Sequence, residues 1–244
     1  GGGEWTNYAA GVWLSGDGLL IRTGIVCDLF CNAGRWELFR RNGTQFQLAI
    51  NSPAGRSGKD LSVGVDGGHF AIGNPGFFET DYGSPFANAL MVVDTDAQPP
   101  QVRLNEVVPT EDQTGESTVT GIFRKVDLSG DVVAYEGRSG TNRVLTIRRY
   151  NGTTYQQEAT FPLTFTPNSV SVLPGAVLVA DPVAGAWHVY AYWEGAWQQS
   201  SDLAAPEGAT AFGVPPVAVG NKIAVRGNGV IRVLTVEVVN QTAS

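Results

Sequence analysis

The sequence predicts an all-β fold, a single five-bladed β-propeller over residues 1–244, on three observations. Apolar residues recur at every second position in short runs broken by Gly, Pro, Asn and Asp, and no amphipathic helix pattern interrupts them. Glycine supplies 31 of the 244 residues, nearly twice the usual share of about 7%, as a chain with many tight turns requires. One hairpin unit then returns at intervals of tens of residues, which marks a repeat architecture.

That unit is an apolar strand rich in small residues, a glycine turn and a second, β-branched strand. Its five copies cover 12–21, 61–73, 121–135, 170–180 and 217–225. The turn glycines Gly16, Gly67, Gly130, Gly175 and Gly220 stand 51, 63, 45 and 45 residues apart, each interval the length of one four-stranded blade, with loop insertions in the longer two. Between the copies lies a second, outer hairpin. Residues 36–48 match 145–157 and 188–199, and 89–104 form a weaker copy whose turn is lengthened by Ala97-Gln98-Pro99-Pro100.

After the fifth inner hairpin only one more strand follows, at 230–236. Residues 3–8, around Trp5, resemble the outermost strand at 194–200. The expectation is that this N-terminal strand completes the last blade, so that the ring closes between the chain ends and few edges stay unpaired.

Composition bounds the function. Hydrophobic residues make up 43% of the chain, enough for a sizeable core, and no apolar run approaches a membrane span or a signal peptide. The chain reads as mature, or as cut from something longer. Net charge is −7 with no basic stripe, which argues against nucleic acid or an anionic membrane as partner.

The segments Tyr190-Ala191-Tyr192, Gly195-Ala196-Trp197, Leu203-Ala204-Ala205-Pro206-Glu207-Gly208, Phe212-Gly213 and Val217-Ala218-Val219-Gly220-Asn221 resemble the FG-GAP repeat family. That family comprises extracellular β-propeller repeats distantly related to those of integrin α-subunit heads. Phe212-Gly213 matches its Phe-Gly element, and Gly73-Asn74-Pro75 and Ala180-Asp181-Pro182 are degenerate forms of its Gly-Ala-Pro. The resemblance is close in the last two blades. Integrin-type repeats often carry a calcium loop of alternating oxygen ligands, and only Asp94-Thr95-Asp96 resembles one. Ala97-Gln98-Pro99 follow it in place of the remaining ligands, so it reads as a plain acidic turn and no metal is expected.

The two cysteines are Cys27 and Cys31, in Cys-Asp-Leu-Phe-Cys. With no second pair and two distant histidines they cannot complete a four-ligand zinc site, which leaves a small disulfide loop or two inert thiols. The disulfide is the favoured reading, because sequons at Asn42, Asn151 and Asn240 also suit an oxidising compartment. Asn42-Gly43 and Asn151-Gly152 have a second explanation: Asn-Gly supplies the positive φ angles of a two-residue hairpin turn.

Catalytic patterns are missing. Five-bladed propellers can be glycosidases, whose carboxylates project from inner strands. Here those strands offer Asp66 beside the turn glycines, while Asp17, Asp66 and Asp131 all adjoin turns, where Asp serves the backbone. Gly137-Arg138-Ser139-Gly140 is one residue short of a nucleophile elbow, and no phosphate-binding glycine loop precedes a helix. His69 beside Phe70 and His188 beside Trp187 read as half-buried strand residues. No catalytic residue and no cofactor are expected.

What remains is surface. Loops joining the second strand to the third share one face of a propeller with the links between blades, and binding residues concentrate on such loops. The longest holds Phe77, Phe78, Glu79, Asp81, Tyr82 and Phe86, and Cys27–Cys31 forms a knuckle in the corresponding loop of the first blade. Exposed aromatic clusters grip proteins and sugars; the alternative is that the rings fold inward as a plug. The leading expectation is a noncatalytic extracellular or cell-surface recognition, adhesion or structural module. Its partner would be a protein or glycan ligand on the cell surface or in the matrix, with no nucleic acid and no direct membrane insertion, and the module would stand alone or within a larger chain or assembly. A secreted polysaccharide-acting hydrolase is the rival from another class. A lectin with one sugar pocket per blade is disfavoured by the unequal loops.

Overall fold

The computed structural model describes residues 6–26, 34–51, 62–73, 86–109, 125–139, 142–204, 217–227 and 230–236. Every regular element among them is a β-strand. The chain divides into two compact units, 1–124 and 125–244.

Among the described residues, the first unit holds two antiparallel sheets. One runs in the order β1 (Thr6–Ser15), β2 (Gly18–Val26), β3 (Gly34–Asn42), β4 (Gln45–Asn51). The other runs β5 (Ser62–Asp66), β6 (His69–Gly73), β7 (Phe86–Asp94), β8 (Gln101–Pro109). Leu20, Trp36 and Leu38 of the first sheet bury against Phe70, Ile72, Met91 and Val93 of the second, with Trp13 packed at the margin. Alternation puts Val12 and Leu14 on the opposite face of β1 from Trp13, and they are 59% and 62% exposed.

Among the described residues, the second unit holds three antiparallel sheets. The third sheet of the chain comprises β9 (Val126–Ser129), β10 (Val132–Ser139), β11 (Asn142–Tyr150) and β12 (Tyr155–Leu163). The fourth comprises β13 (Val170–Leu173), β14 (Ala176–Asp181), β15 (Ala186–Trp193) and β16 (Ala196–Gln199), with the two-residue β17 (Leu203–Ala204) also paired to β15. The fifth comprises β18 (Val217–Val219), β19 (Lys222–Gly227) and β20 (Val230–Thr235). The fourth sheet is covered on both faces. Val177 and Val179 of β14 join Val132, Ala134, Leu145 and Ile147 of the third sheet, while Leu178 and Ala180 join Ile223 and Val225 of the fifth. This is why Ala176-Val177-Leu178-Val179-Ala180 is continuously apolar: neither face meets water, and each fully buried Val or Leu contributes about 1.5–3 kcal/mol.

One hydrogen bond recurs in every sheet. The carbonyl of the second residue in each inner turn accepts the backbone N–H at the end of the third strand. The five pairs are Asp17–Arg41, Gly68–Thr95, Asp131–Tyr150, Gly175–Tyr192 and Asn221–Val236, at 2.7–2.9 Å. The five sheets are thus equivalent units, with β3, β7, β11, β15 and β20 in the same position. The five expected turn glycines all have positive φ, which a side chain would strain. A second recurrence is a bulge between third and fourth strands, where the register shifts by one residue at Ala49, Arg103 and Glu158, at equivalent points.

Three details differ from the expectation. Thr6–Tyr8 do not form a separate outer strand: they continue into Val12–Ser15 as β1 and pair with Gly24–Val26 of β2, and Trp5 lies outside the described residues. A period-two pattern marks a strand without specifying its partner. The turn at Asn42 consists of Gly43-Thr44, with Asn42 itself paired to Gln45, so Gly43 takes the first, positive-φ position. Asn151 opens a four-residue loop, 151–154, and its Oδ1 accepts the N–H groups of Thr153 and Thr154, both at 2.9 Å. Asn240 lies outside the described residues.

Candidate functional site

Of the expected surface, Phe77, Phe78, Glu79, Asp81 and Tyr82 lie outside the described residues, as do Cys27 and Cys31. Phe86 is the first residue of β7, its backbone opposite Pro109. The described portion of the same kind of surface belongs to the fourth sheet: the β14–β15 turn at 182–185, the 164–169 link before it and the 200–202 link after it.

His188 organises this region. From β15 its Nδ1 lies 2.9 Å from Asp202 Oδ1 and its Nε2 lies 3.4 Å from Asp181 Oδ2, while the Phe165 ring stacks on it at 4.7 Å. Asp181 ends β14 and holds the turn: its Oδ1 accepts the N–H groups of Val183 and Ala184 at 2.8 and 3.0 Å. Burial opposes ionisation of Asp181, but the N–H groups of Ala184 and Val183 and the His188 ring outweigh it and hold the carboxyl below its ordinary range. Burial, aided by the charge of Asp202, raises the neighbouring Tyr190 hydroxyl. The result is a fixed turn that presents Val183 at 92% exposure. Both ring nitrogens of His188 face carboxylates, so the imidazole is placed as a strut between two links, the half-buried strand residue that its sequence position suggested.

The other histidine has a similar setting. His69 begins β6, with Nδ1 3.1 Å from the Gly67 carbonyl and Nε2 4.0 Å from Asp94 Oδ2. Asp94 accepts the N–H groups of Asp96 and Ala97 at 3.0 and 3.1 Å, and its other oxygen accepts Arg103 Nη2 at 2.8 Å. The Asp94-Thr95-Asp96 segment is therefore a plain acidic turn closed by a guanidinium. Among the described residues no group of His, Cys, Asp and Glu is arranged to hold a metal ion.

Two bulge residues carry the remaining polar geometry. Arg103 reaches Asp94, as above. Glu158 accepts Arg149 Nε at 2.8 Å and the Trp197 indole N–H at 2.7 Å, and Arg149 lies 4.6 Å over the Tyr192 ring. A bulge re-aims a side chain out of strict alternation, and here it aims one carboxylate at the next sheet.

The inner strands correct one expectation. They carry a carboxylate besides Asp66, namely Asp127 on β9, where the sequence pattern showed only Asp66 as a candidate. Its Oδ2 accepts the Val172 N–H at 2.9 Å, so it joins two sheets. Ser15 does the same in the first unit, its Oγ accepting the Gly68 N–H at 3.1 Å. Buried Glu136 was also missed; it pairs with Arg143 across β10 and β11. No local signal separates such residues from turn or surface carboxylates.

No protein-family model matches the chain, and no curated protein matches it. The FG-GAP resemblance therefore rests on its quoted residues, of which Phe212-Gly213 lie outside the described ones. Among solved structures, the chain is similar to an acylaminoacyl peptidase at TM-score 0.50 and 11% identity, covering 90% of this chain and 35% of that one. Nidogen in a nidogen/laminin complex aligns at 0.42 and 10% identity, over 85% of this chain and 67% of that one. BamB from Moraxella catarrhalis aligns at 0.40 and 15% identity, over 92% and 71%. The nidogen and BamB neighbours are β-propeller-type folds. The likeness concerns fold alone, and the chain spans about a third of the length of the acylaminoacyl peptidase.

Proposed function

We propose that the chain is a five-bladed β-propeller acting as a noncatalytic recognition module outside the cell. It binds a protein or glycan partner through the face that carries the second-to-third strand loops and the links between sheets. The observation that carries this reading is the construction of that face in the fourth sheet. Asp181 fixes the 182–185 turn, His188 joins it to the following link, and an apolar tip, Val183, is held out to solvent. A rigid turn presenting apolar surface suits binding, because little freedom is lost when a partner arrives.

The five equivalent sheets support the blade count. The exposed sequons at Asn42 and Asn151 and the Cys27–Cys31 pair support an extracellular site.

The test combines a glycan array with a pull-down from the extracellular fraction, using the wild-type chain and a Phe77→Ser, Phe78→Ser, Tyr82→Ser variant. The expected result is a captured partner whose binding weakens by about 2 kcal/mol or more in the variant at an unchanged melting temperature. Turnover of a polysaccharide that vanishes on Asp66→Asn would instead establish the hydrolase.

A further inference from the structure

We infer that Asn42 is a site of spontaneous chemical modification, losing ammonia through a succinimide to give aspartate and isoaspartate, and that the fold protects the same tripeptide at Asn151. The inference is independent of the ligand-binding reading.

The sequence Asn-Gly-Thr stands at 42–44 and again at 151–153. The recurring turn bond puts both at one position in their sheets: Asn42 follows Arg41 and Asn151 follows Tyr150, the residues whose N–H groups reach Asp17 and Asp131. Asn42, Gly43, Asn151 and Gly152 are all exposed. The reacting atoms and their place in the sheet are shared, and the bonds around them differ.

The reaction needs only water. The Gly43 backbone nitrogen gives up its proton and attacks Asn42 Cγ, the Cγ–Nδ2 bond breaks, and Nδ2 leaves with that proton as ammonia. Water then opens the succinimide ring. Opening at Cγ gives aspartate, and opening at the former Asn42 backbone carbonyl gives isoaspartate, whose chain runs through Cβ and Cγ. Glycine favours the attack because it has no Cβ to crowd the nitrogen.

At Asn151 the side chain is held. Its Oδ1 accepts the N–H groups of Thr153 and Thr154, both at 2.9 Å, and its own N–H donates to the Thr154 carbonyl at 3.1 Å. Ring closure rotates both the side chain and its backbone, so these bonds must be given up.

Asn42 has no such restraint on its side chain. Among the described residues its Oδ1 accepts nothing, and Nδ2, the leaving group, donates to the exposed Gln47 Oε1 at 3.2 Å. Gly43 is the first of two turn residues, so its N–H stands outside the ladder. Arg41 Nε donates to the Gly43 carbonyl at 3.0 Å, where Tyr150 Oη donates to the Gly152 carbonyl at 2.9 Å. The guanidinium brings a positive charge near the attacking nitrogen, which favours its deprotonated form, and the phenol brings none. What restrains Asn42 is its closing pair with Gln45, at the end of a hairpin, where local opening costs least. Isoaspartate adds a methylene to the backbone inside that pair, so modification loosens the outer hairpin of the first sheet.

The test is a time course on the full chain, prepared without glycans and kept in mildly alkaline buffer at body temperature, with peptide mapping that reads each asparagine separately. A parallel sample in urea supplies the unfolded reference, in which the two tripeptides should convert at similar rates. In the folded chain Asn42 should convert about fivefold or more faster than Asn151, the effect of roughly one hydrogen bond on the barrier, with isoaspartate among the products. Asn151 reacting as fast as Asn42 in the folded chain overturns the inference, as does conversion at Asn42 without isoaspartate. A folded chain in which neither site reacts while the unfolded one does at both also overturns it. An Asn42 lead of the same size in urea would assign the difference to neighbouring sequence and overturn the protection by the fold.

Discussion

Asp127 on β9 accepts the backbone N–H of Val172 on β13 at 2.9 Å, so the innermost strands of two consecutive sheets are joined by a carboxylate. Val172 is 2% exposed. Its N–H points to Asp127, on the side of β13 away from β14. Asp127→Ala should cost about 1–3 kcal/mol in urea denaturation, the penalty for an unsatisfied buried donor. Asp127→Asn keeps an acceptor and should cost less. Equal losses for the two would show that the bond matters little.

Gly67 and Gly68 form the inner turn of the second sheet, both with positive φ, at 50° and 79°. A Cβ on Gly67 meets nothing within 4 Å, whereas one on Gly68 would lie 2.5 Å from the Asp96 carboxylate. Gly67→Ala should therefore cost only the left-handed backbone penalty of about 1–2 kcal/mol. Gly68→Ala should cost more, because Asp96 must also move. Melting temperatures of the two variants give the order directly.

Acid should destabilise the fold through Asp181 and Asp94. For both, burial opposes ionisation. Hydrogen bonds from Ala184, Val183 and His188 in the first case, and from Arg103 and Ala97 in the second, still hold the carboxyl below its ordinary 3.8. A group whose folded pKa is depressed stabilises fully above its unfolded value and loses that contribution as pH falls through the folded value. Urea midpoints should therefore fall below about pH 4, and less steeply in Asp181→Asn than in the wild type. Parallel curves would exclude Asp181 from the acid response.

Trp197 joins the fourth sheet to the third through its indole N–H on Glu158, at 2.7 Å. Trp197→Phe removes that donor and leaves much of the apolar packing. A loss of about 1.5–3 kcal/mol is expected, the usual range for a hydrogen bond to a charged group. Glu158→Gln should lose less, since it keeps an acceptor. A double-mutant cycle separates this bond from the pairing of Glu158 with Arg149.

The sequence by itself determined the strands and their inner turns. Gly16, Gly67, Gly130, Gly175 and Gly220 all sit in two-residue loops, and Val230–Thr235 stands as one strand after the fifth hairpin, one residue shorter than the expected 230–236. These features are legible because they are local: alternation and positive φ depend on a residue and its immediate neighbours. Tertiary structure alone decided which edges and faces meet. It placed Thr6–Tyr8 on β2, set Asp127 against Val172 across 45 residues, and put His188 between Asp181 and Asp202. Every strand offers the same backbone donors and acceptors, so its partner is chosen by distant packing, which no local pattern encodes.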